Sequence, residues 1–124
     1  MKRIILLSVF AILLSSGSLF AQEKQVVKTV DKTTCLKEMQ KDSFIIIDVR
    51  TPEEFNKGHL EKAVNYNFYE RDFEDKLKQI DTNKKVIIYC EVGGRSAVAL
   101  KKMKEMGFKY VLEIEGGYRS WKKT

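Results

Sequence analysis

Histidine and cysteine are scarce in this 124-residue chain: His59 is the only histidine, and Cys35 and Cys90 are the only thiols. Neither a Cys-x-x-Cys pair nor a histidine cluster occurs, which argues against a zinc site, so no metal is predicted. Two cysteines without a dense framework do not describe a disulfide scaffold either. No internal repeat or low-complexity linker is present, which points to one domain. Acidic residues are outnumbered, 17 against 23 Lys and Arg, for a formal net charge of +6. That excess lies along Lys-rich helical faces, mixed with acids, and lacks the aromatic interleaving that single-stranded nucleic-acid binding favours. It reads as a solvated surface with no nucleic-acid partner. Its modest positive field would help anionic small molecules arrive.

What is present begins with an N-terminal address. Met1-Lys2-Arg3 is basic, and Ile4 to Leu14 is an uncharged run broken only by Ser8. Ser15-Ser16-Gly17-Ser18 is small and polar, and Ala21 precedes the charged Gln22-Glu23-Lys24. This order predicts a signal peptide over residues 1–21, cleaved after Ala21, and a protein exported to the periplasm or secreted. An uncleaved anchor is the competing reading, but the apolar core is short for a span of about 20 residues. No cysteine follows the apolar run, which argues against a lipoprotein. Once the signal is removed no membrane contact is expected. The remaining chain of about 100 residues is long enough to bury a core unaided.

Residues 22–32 read as an N-terminal segment with a first strand, Val26 to Val30. Asp31 or Thr33 then caps a helix through Cys35, Leu36 and Met39. Phe44-Ile45-Ile46-Ile47-Asp48-Val49 is a continuous apolar run suited to a central strand covered on both faces. Thr51-Pro52-Glu53-Glu54 supplies an N-cap, a proline at the first helical position and an acid at the third, and Gly58 ends that helix. Ala63 to Phe68 reads as a third strand. Glu70 to Ile80 has helical periodicity, with Phe73, Leu77 and Ile80 on one face. Ser96 to Met106 is the clearest helix, with Val98, Leu100 and Met103 inward, and Gly107 closes it. Tyr110 to Ile114 is the last strand, Gly116-Gly117 a turn, and Tyr118 to Lys122 a terminal helix burying Trp121. The alternation predicts an α/β fold with a mostly parallel sheet flanked by helices on both faces.

The strand Val86-Ile87-Ile88-Tyr89 ends abruptly at Cys90, and Glu91-Val92-Gly93-Gly94-Arg95-Ser96 leads into the helix that follows. In open parallel sheets, ligands lie beyond the carboxyl ends of the strands, where this arrangement hangs a thiol. Converging N–H groups of such a loop and helix start favour negative charge, and such settings make a cysteine a thiolate nucleophile. No general base, metal or organic cofactor is required for attack by such a thiolate on a sulfur–sulfur bond, given a leaving group that departs as an anion.

Four segments together resemble the rhodanese-like sulfurtransferase family. They are Asp48-Val49-Arg50-x-x-x-Glu54-Phe55-x-x-Gly58-His59-Leu60, Ala63-x-Asn65, Cys90-x-x-Gly93-x-Arg95-Ser96, and Glu115-Gly116-Gly117-Tyr118-x-x-Trp121. The resemblance places a rhodanese-like domain at residues 33–122, with a five-stranded, mostly parallel sheet. It implies a sulfurtransferase that moves a sulfane sulfur from thiosulfate or polysulfide to a thiophilic acceptor through a persulfide on Cys90. The backbone amides of Glu91, Val92, Gly93, Gly94, Arg95 and Ser96 would cradle the terminal sulfur, and Arg95 would hold the loop or steer the anionic donor. A sulfur carrier that hands persulfide sulfur to a partner protein is the alternative. Four residues separate Cys90 from Arg95, as in the sulfurtransferases, whereas cysteine phosphatases space theirs by five. After Gly58-His59-Leu60 the family usually continues Pro-Gly-Ala, and this chain has Glu61-Lys62-Ala63, which changes a turn. Glu91 puts a carboxylate beside the nucleophile, which would oppose a thiolate unless it points outward.

Other residues receive quieter roles. Arg50 is expected to pair with Glu54 or a neighbouring carboxylate beside Asp48, and Arg71 to be a solvated helix-start residue. His59 is structural in the Gly-His motif. Cys35 is a half-buried packing residue, and its separate element argues against a disulfide to Cys90.

Overall fold

A computed structural model describes residues 24–123, so the proposed signal peptide lies outside the described residues. Strands and helices alternate: β1 (Val26–Val30), α1 (Lys32–Lys41), β2 (Ile45–Asp48), α2 (Pro52–Lys57), β3 (Val64–Asn65), α3 (Phe73–Lys78), β4 (Lys85–Tyr89), α4 (Gly94–Glu105), β5 (Tyr110–Ile114) and α5 (Gly117–Lys123). The strands form one five-stranded sheet in the order β1-β5-β4-β2-β3, every pair parallel. Its most apolar strand, β4, is central: Val86, Ile87, Ile88 and Tyr89 are fully buried because helices cover both faces.

Alternation along the strands divides the core in two. Ile47, Val86, Ile88, Cys90 and Val111 pack with Leu77 of α3 and Ala99 and Met103 of α4. On the other face Ile46, Ile87, Tyr89, Leu112 and Ile114 pack with Cys35 of α1. Each such aliphatic side chain contributes about 1.5–3 kcal/mol by leaving water. Asp31, rather than Thr33, caps α1, its Oδ1 accepting from the Thr34 amide at 2.8 Å. Thr51 and Glu54 form the reciprocal capping box expected at α2, with Pro52 at the first helical position.

Four expectations need correction. The third strand is two residues long rather than six. Beyond Asp48 the chain bends as its carboxylate accepts from the Arg50 amide, and Tyr66 and Phe68 follow that bend by donating to the Asp48 and Val49 carbonyls. The helix expected over 70–80 shortens to α3, entered by a Phe73-to-Glu70 turn and ended by three-residue turns at Gln79 and Ile80, although Phe73 and Leu77 are buried as expected. Helix α4 starts earlier, at Gly94, and its inward row is Ser96, Ala99 and Met103, spaced by three and four; Val98 faces solvent. In α5, Trp121 is only partly buried, packed against the second core.

Candidate active site

Cys90 follows β4 directly and is fully buried, so its sulfur lies one layer beneath the solvent-facing loop. The Gly93 amide donates to Cys90 Sγ at 3.0 Å, and Ser96 Oγ lies 3.2 Å from the same sulfur. Gly93 achieves this as the N-cap of α4 with φ +116°, a conformation suited to glycine. The loop's carbonyls turn the other way. Cys90 O accepts from the Tyr118 amide at 2.8 Å and Glu91 O from Arg119 at 3.0 Å, so the first turn of α5 holds them. A side chain at Gly117, itself at φ +66°, would come within 2.5 Å of both carbonyls. Two glycines therefore let the backbone present an N–H group to the sulfur while its oxygens are drawn off behind it.

A buried ion network fastens this loop to the β2–α2 turn. Arg50, 2% exposed, donates from Nη2 to Asp48 Oδ2 at 2.7 Å and to the Gly58 carbonyl at 2.7 Å. Its Nη1 donates to Glu91 Oε2 at 3.0 Å. The guanidinium also lies 4.4 Å from the Tyr118 ring centroid. Burial opposes the Arg50 charge, but the bonds to Asp48 and then Glu91 outweigh it and push its pKa up. Asn65 donates to the Asp48 and Arg50 carbonyls at 3.1 and 2.8 Å and locks the same turn.

Of the pairings open to Arg50, the structure has the one with neighbouring carboxylates, which leaves Glu54 to Arg95. The two Glu54 oxygens accept from Arg95 Nη1 at 2.7 Å and Nη2 at 3.0 Å, a bidentate pair between α2 and α4. The Arg95 hydrogen bonds hold the Glu54 carboxyl down at about 2. Arg50 instead uses Asp48 and Glu91, because its fork is buried at the end of β2 and faces the Cys90 loop. The Glu91 carboxylate is thus tied to Arg50, with Arg119 Nε 3.9 Å from its other oxygen. Val92 is exposed at the loop tip, and Gly94 opens α4.

Cys35 proves fully buried rather than half-buried, and desolvation raises its thiol to about 11. It occupies the core opposite Cys90, and both thiols are free. His59 is exposed, accepts or donates at the Phe55 carbonyl and stacks on the Phe55 ring, while Arg71 is exposed. Among the described residues no cluster of His, Cys, Asp or Glu is arranged to hold a metal ion, and no helix is long and apolar enough to cross a membrane.

One polar group escaped the sequence reading. Glu113 of β5 is 4% exposed; Ser96 Oγ donates to its Oε2 at 2.5 Å and Thr29 Oγ1 to its Oε1 at 2.7 Å. Its signal in the sequence is an acid inside the apolar strand Val111-Leu112-Glu113-Ile114.

Residues 32–124 match the family model of the rhodanese-like domain. The chain is 36% identical over 88 residues to chloroplastic thiosulfate sulfurtransferase 16 of Arabidopsis thaliana, an alignment covering 63% of this chain and 73% of that protein. It is 35% identical over 80 residues to the putative sulfur carrier protein YrkF of Bacillus subtilis, covering 64% of this chain but 42% of that protein. Among solved structures, a rhodanese-related protein from Thermoplasma volcanium superposes with a TM-score of 0.68 at 24% identity, over 77% of this chain and 91% of that one, a likeness of fold.

Proposed function

The chain belongs to the rhodanese-like domain family, and from that premise we propose that it is a sulfurtransferase carrying a sulfane sulfur as a persulfide on Cys90. The observation that carries this reading is the sulfur of Cys90 beyond β4, met by the Gly93 N–H at 3.0 Å and the Ser96 hydroxyl at 3.2 Å. A donor aimed at a sulfur, here the Gly93 N–H, stabilises it as an anion, and a thiolate is what attacks a sulfur–sulfur bond. With thiosulfate the thiolate bonds to the outer sulfur, and sulfite leaves with the electron pair of the broken bond. The persulfide is itself anionic and draws on donors of the same loop. A thiophilic acceptor then removes the outer sulfur and regenerates the thiolate. Because Cys90 is enclosed, the exchange also requires the loop from Glu91 to Gly94 to yield. Its outer side is open, with no atom within 4 Å of a Cβ built at Gly93 or Gly94. The bidentate pair with Glu54 supports a loop-holding role for Arg95 over one of meeting the donor.

The donor is proposed to be thiosulfate or polysulfide, and the site of action the periplasm or the cell exterior, as the N-terminal segment suggests. Intact mass after exposure to either donor, with Cys90→Ser alongside, tests the chemistry. A gain of one sulfur atom, reversed by cyanide and absent in the variant, is expected. No gain on reduced protein with either donor refutes it. The similarity to a putative sulfur carrier favours one second reading, delivery to a partner protein. A carrier stalls after one sulfur where an enzyme turns over with cyanide or a small thiol.

A further inference from the structure

Glu113 is a carboxyl buried in a sheet, and among the described residues its hydrogen-bond partners are two hydroxyls, Thr29 and Ser96, with no cation. A buried carboxylate without a cation is costly, so this one calls for a use. Hydrogen-bond accounting supplies it. A hydroxyl has a single proton, and an ionised carboxylate only accepts. When Glu113 is ionised, Ser96 must spend its proton on Oε2. The 3.2 Å contact between Ser96 Oγ and Cys90 Sγ then runs from the thiol to the hydroxyl. When Cys90 is a thiolate, Ser96 must point its proton at the sulfur, and Glu113 must be protonated to keep its bond to Ser96. The two arrangements differ only by moving one proton at each link, and every contact is kept in both.

We propose that Glu113 is a positioning residue that stores the Cys90 proton, reached through the Ser96 hydroxyl. In the transfer the S–H bond of Cys90 breaks as an O–H bond forms on Ser96 Oγ. The former Ser96 O–H bond breaks as one forms on Glu113 Oε2. No electron is exchanged, and the total charge of the three groups is unchanged. The nucleophile is thus generated inside the core, without releasing a proton through a loop that covers it. Ser96 and Glu113 are both buried, which shields the path from water.

The charged groups packed around this chain are otherwise committed or remote. On β1 the one ionisable residue, Lys28, alternates to the other face from Thr29. On β4 they are Lys85 at the far end, bonded to Asp42, and Tyr89, which packs in the opposite core. On α4 Arg95 is held by Glu54 and Lys102 by Glu74, while Lys101, Lys104 and Glu105 lie turns away toward the other end of the helix. Glu91 beside the loop is bound to Arg50. Cys90, Ser96 and Glu113 are therefore left as one hydrogen-bonded chain with no other charged group in it.

The inference rests on Cys90 being the reacting sulfur, and it is tested without any sulfur donor, so its failure is separable from failure of sulfur transfer. The readout is the ultraviolet absorbance of the Cys90 thiolate against pH in the full chain, taken as the difference from Cys90→Ser. A shared proton gives a rise in two steps, separated by a range where the thiolate fraction does not depend on pH. Glu113→Gln, which keeps the acceptor oxygen but takes no proton, is expected to lose the lower step, as is Ser96→Ala, which cuts the path. A wild-type curve with a single step that Glu113→Gln leaves in place overturns the proposal. So does a two-step curve that survives in whichever variant folds.

Discussion

Arg50→Met removes the most heavily used side chain of the loop support while conserving most of its apolar volume. It deletes the ion pair to Asp48, the bond to Glu91, the bond to the Gly58 carbonyl and the stack on Tyr118. The dominant cost is the partner left behind. Asp48 is fully buried and retains the Arg50 amide and the Tyr89 hydroxyl as nearby donors but no cation, so its charge is stranded. Breaking a buried pair from one side costs about 3–5 kcal/mol. Against a domain stability of about 5–15 kcal/mol the variant should fold, with Tm lowered by roughly 20 °C. Urea unfolding monitored by circular dichroism measures the loss directly. Adding Asp48→Asn to Arg50→Met removes the stranded charge and should recover about 1–2 kcal/mol, since an unpaired amide costs less than an unpaired carboxylate. A loss below about 1 kcal/mol in the single variant, or no recovery in the double, would show that Asp48 is not held as a buried anion and would refute the argument.

At Lys62 the chain carries its only positive-φ residue other than glycine, φ 67°, among the described residues, in a turn closed by the Ala63 amide on the Leu60 carbonyl at 3.0 Å. Lys62→Gly relieves that strain at some entropic cost and should raise stability by about 0.5–1 kcal/mol, read as a higher urea midpoint; an unchanged or lower midpoint contradicts it. The Glu54 carboxyl lies at about 2 in the folded protein against 4.5 for the free group, so its contribution is complete above about pH 4.5 and is lost as pH falls through 2. Because the side chain is 30% exposed, the full shift is discounted to about 1–2 kcal/mol. The stability gap between wild type and Glu54→Gln should therefore close between pH 4.5 and 2, and a gap independent of pH would sink the assignment.

Most of the fold was readable because its elements obey strong local rules. The unbroken apolar runs of β2 and β4 require cover on both faces, and the Thr51-Pro52-Glu53-Glu54 start of α2 satisfies its own backbone. β5 runs over the residues expected, Tyr110–Ile114. The misreadings fall where local pattern is weak. β3 and α3 lie in the connection from Ala63 to Ile80, whose path follows hydrogen bonds to the end of β2 rather than its own periodicity. At the site, the thiol, its loop and the glycine turn were legible because positive φ and a strand-ending cysteine leave marks in sequence. The choice of ion partners was not. Arg50, Arg95, Glu54 and Glu91 offer more than one pairing, and only the burial of Arg50 at the end of β2 selects Asp48 and Glu91, leaving Glu54 to Arg95.

That selection bears on how a cysteine with no histidine partner can act. The residue after Cys90 is a glutamate, whose free charge would oppose a thiolate there. Arg50 holds that carboxylate at 3.0 Å, and α5 holds the carbonyls of Cys90 and Glu91, so negative and partially negative groups of the loop are drawn behind it. What remains facing the sulfur is one backbone donor and one hydroxyl. The motifs around Asp48, Asn65 and Gly117 therefore act on the sulfur at one remove, by deciding which way the loop's dipoles point. Arg50→Met is informative on both counts, because it strands Asp48 in the core and frees Glu91 at the mouth. Its thiolate should be disfavoured relative to that of Arg50→Met paired with Glu91→Gln, although both lose the same anchor. Equal thiolate absorbance in the two would mean that the direction of the backbone dipoles outweighs the nearby carboxylate.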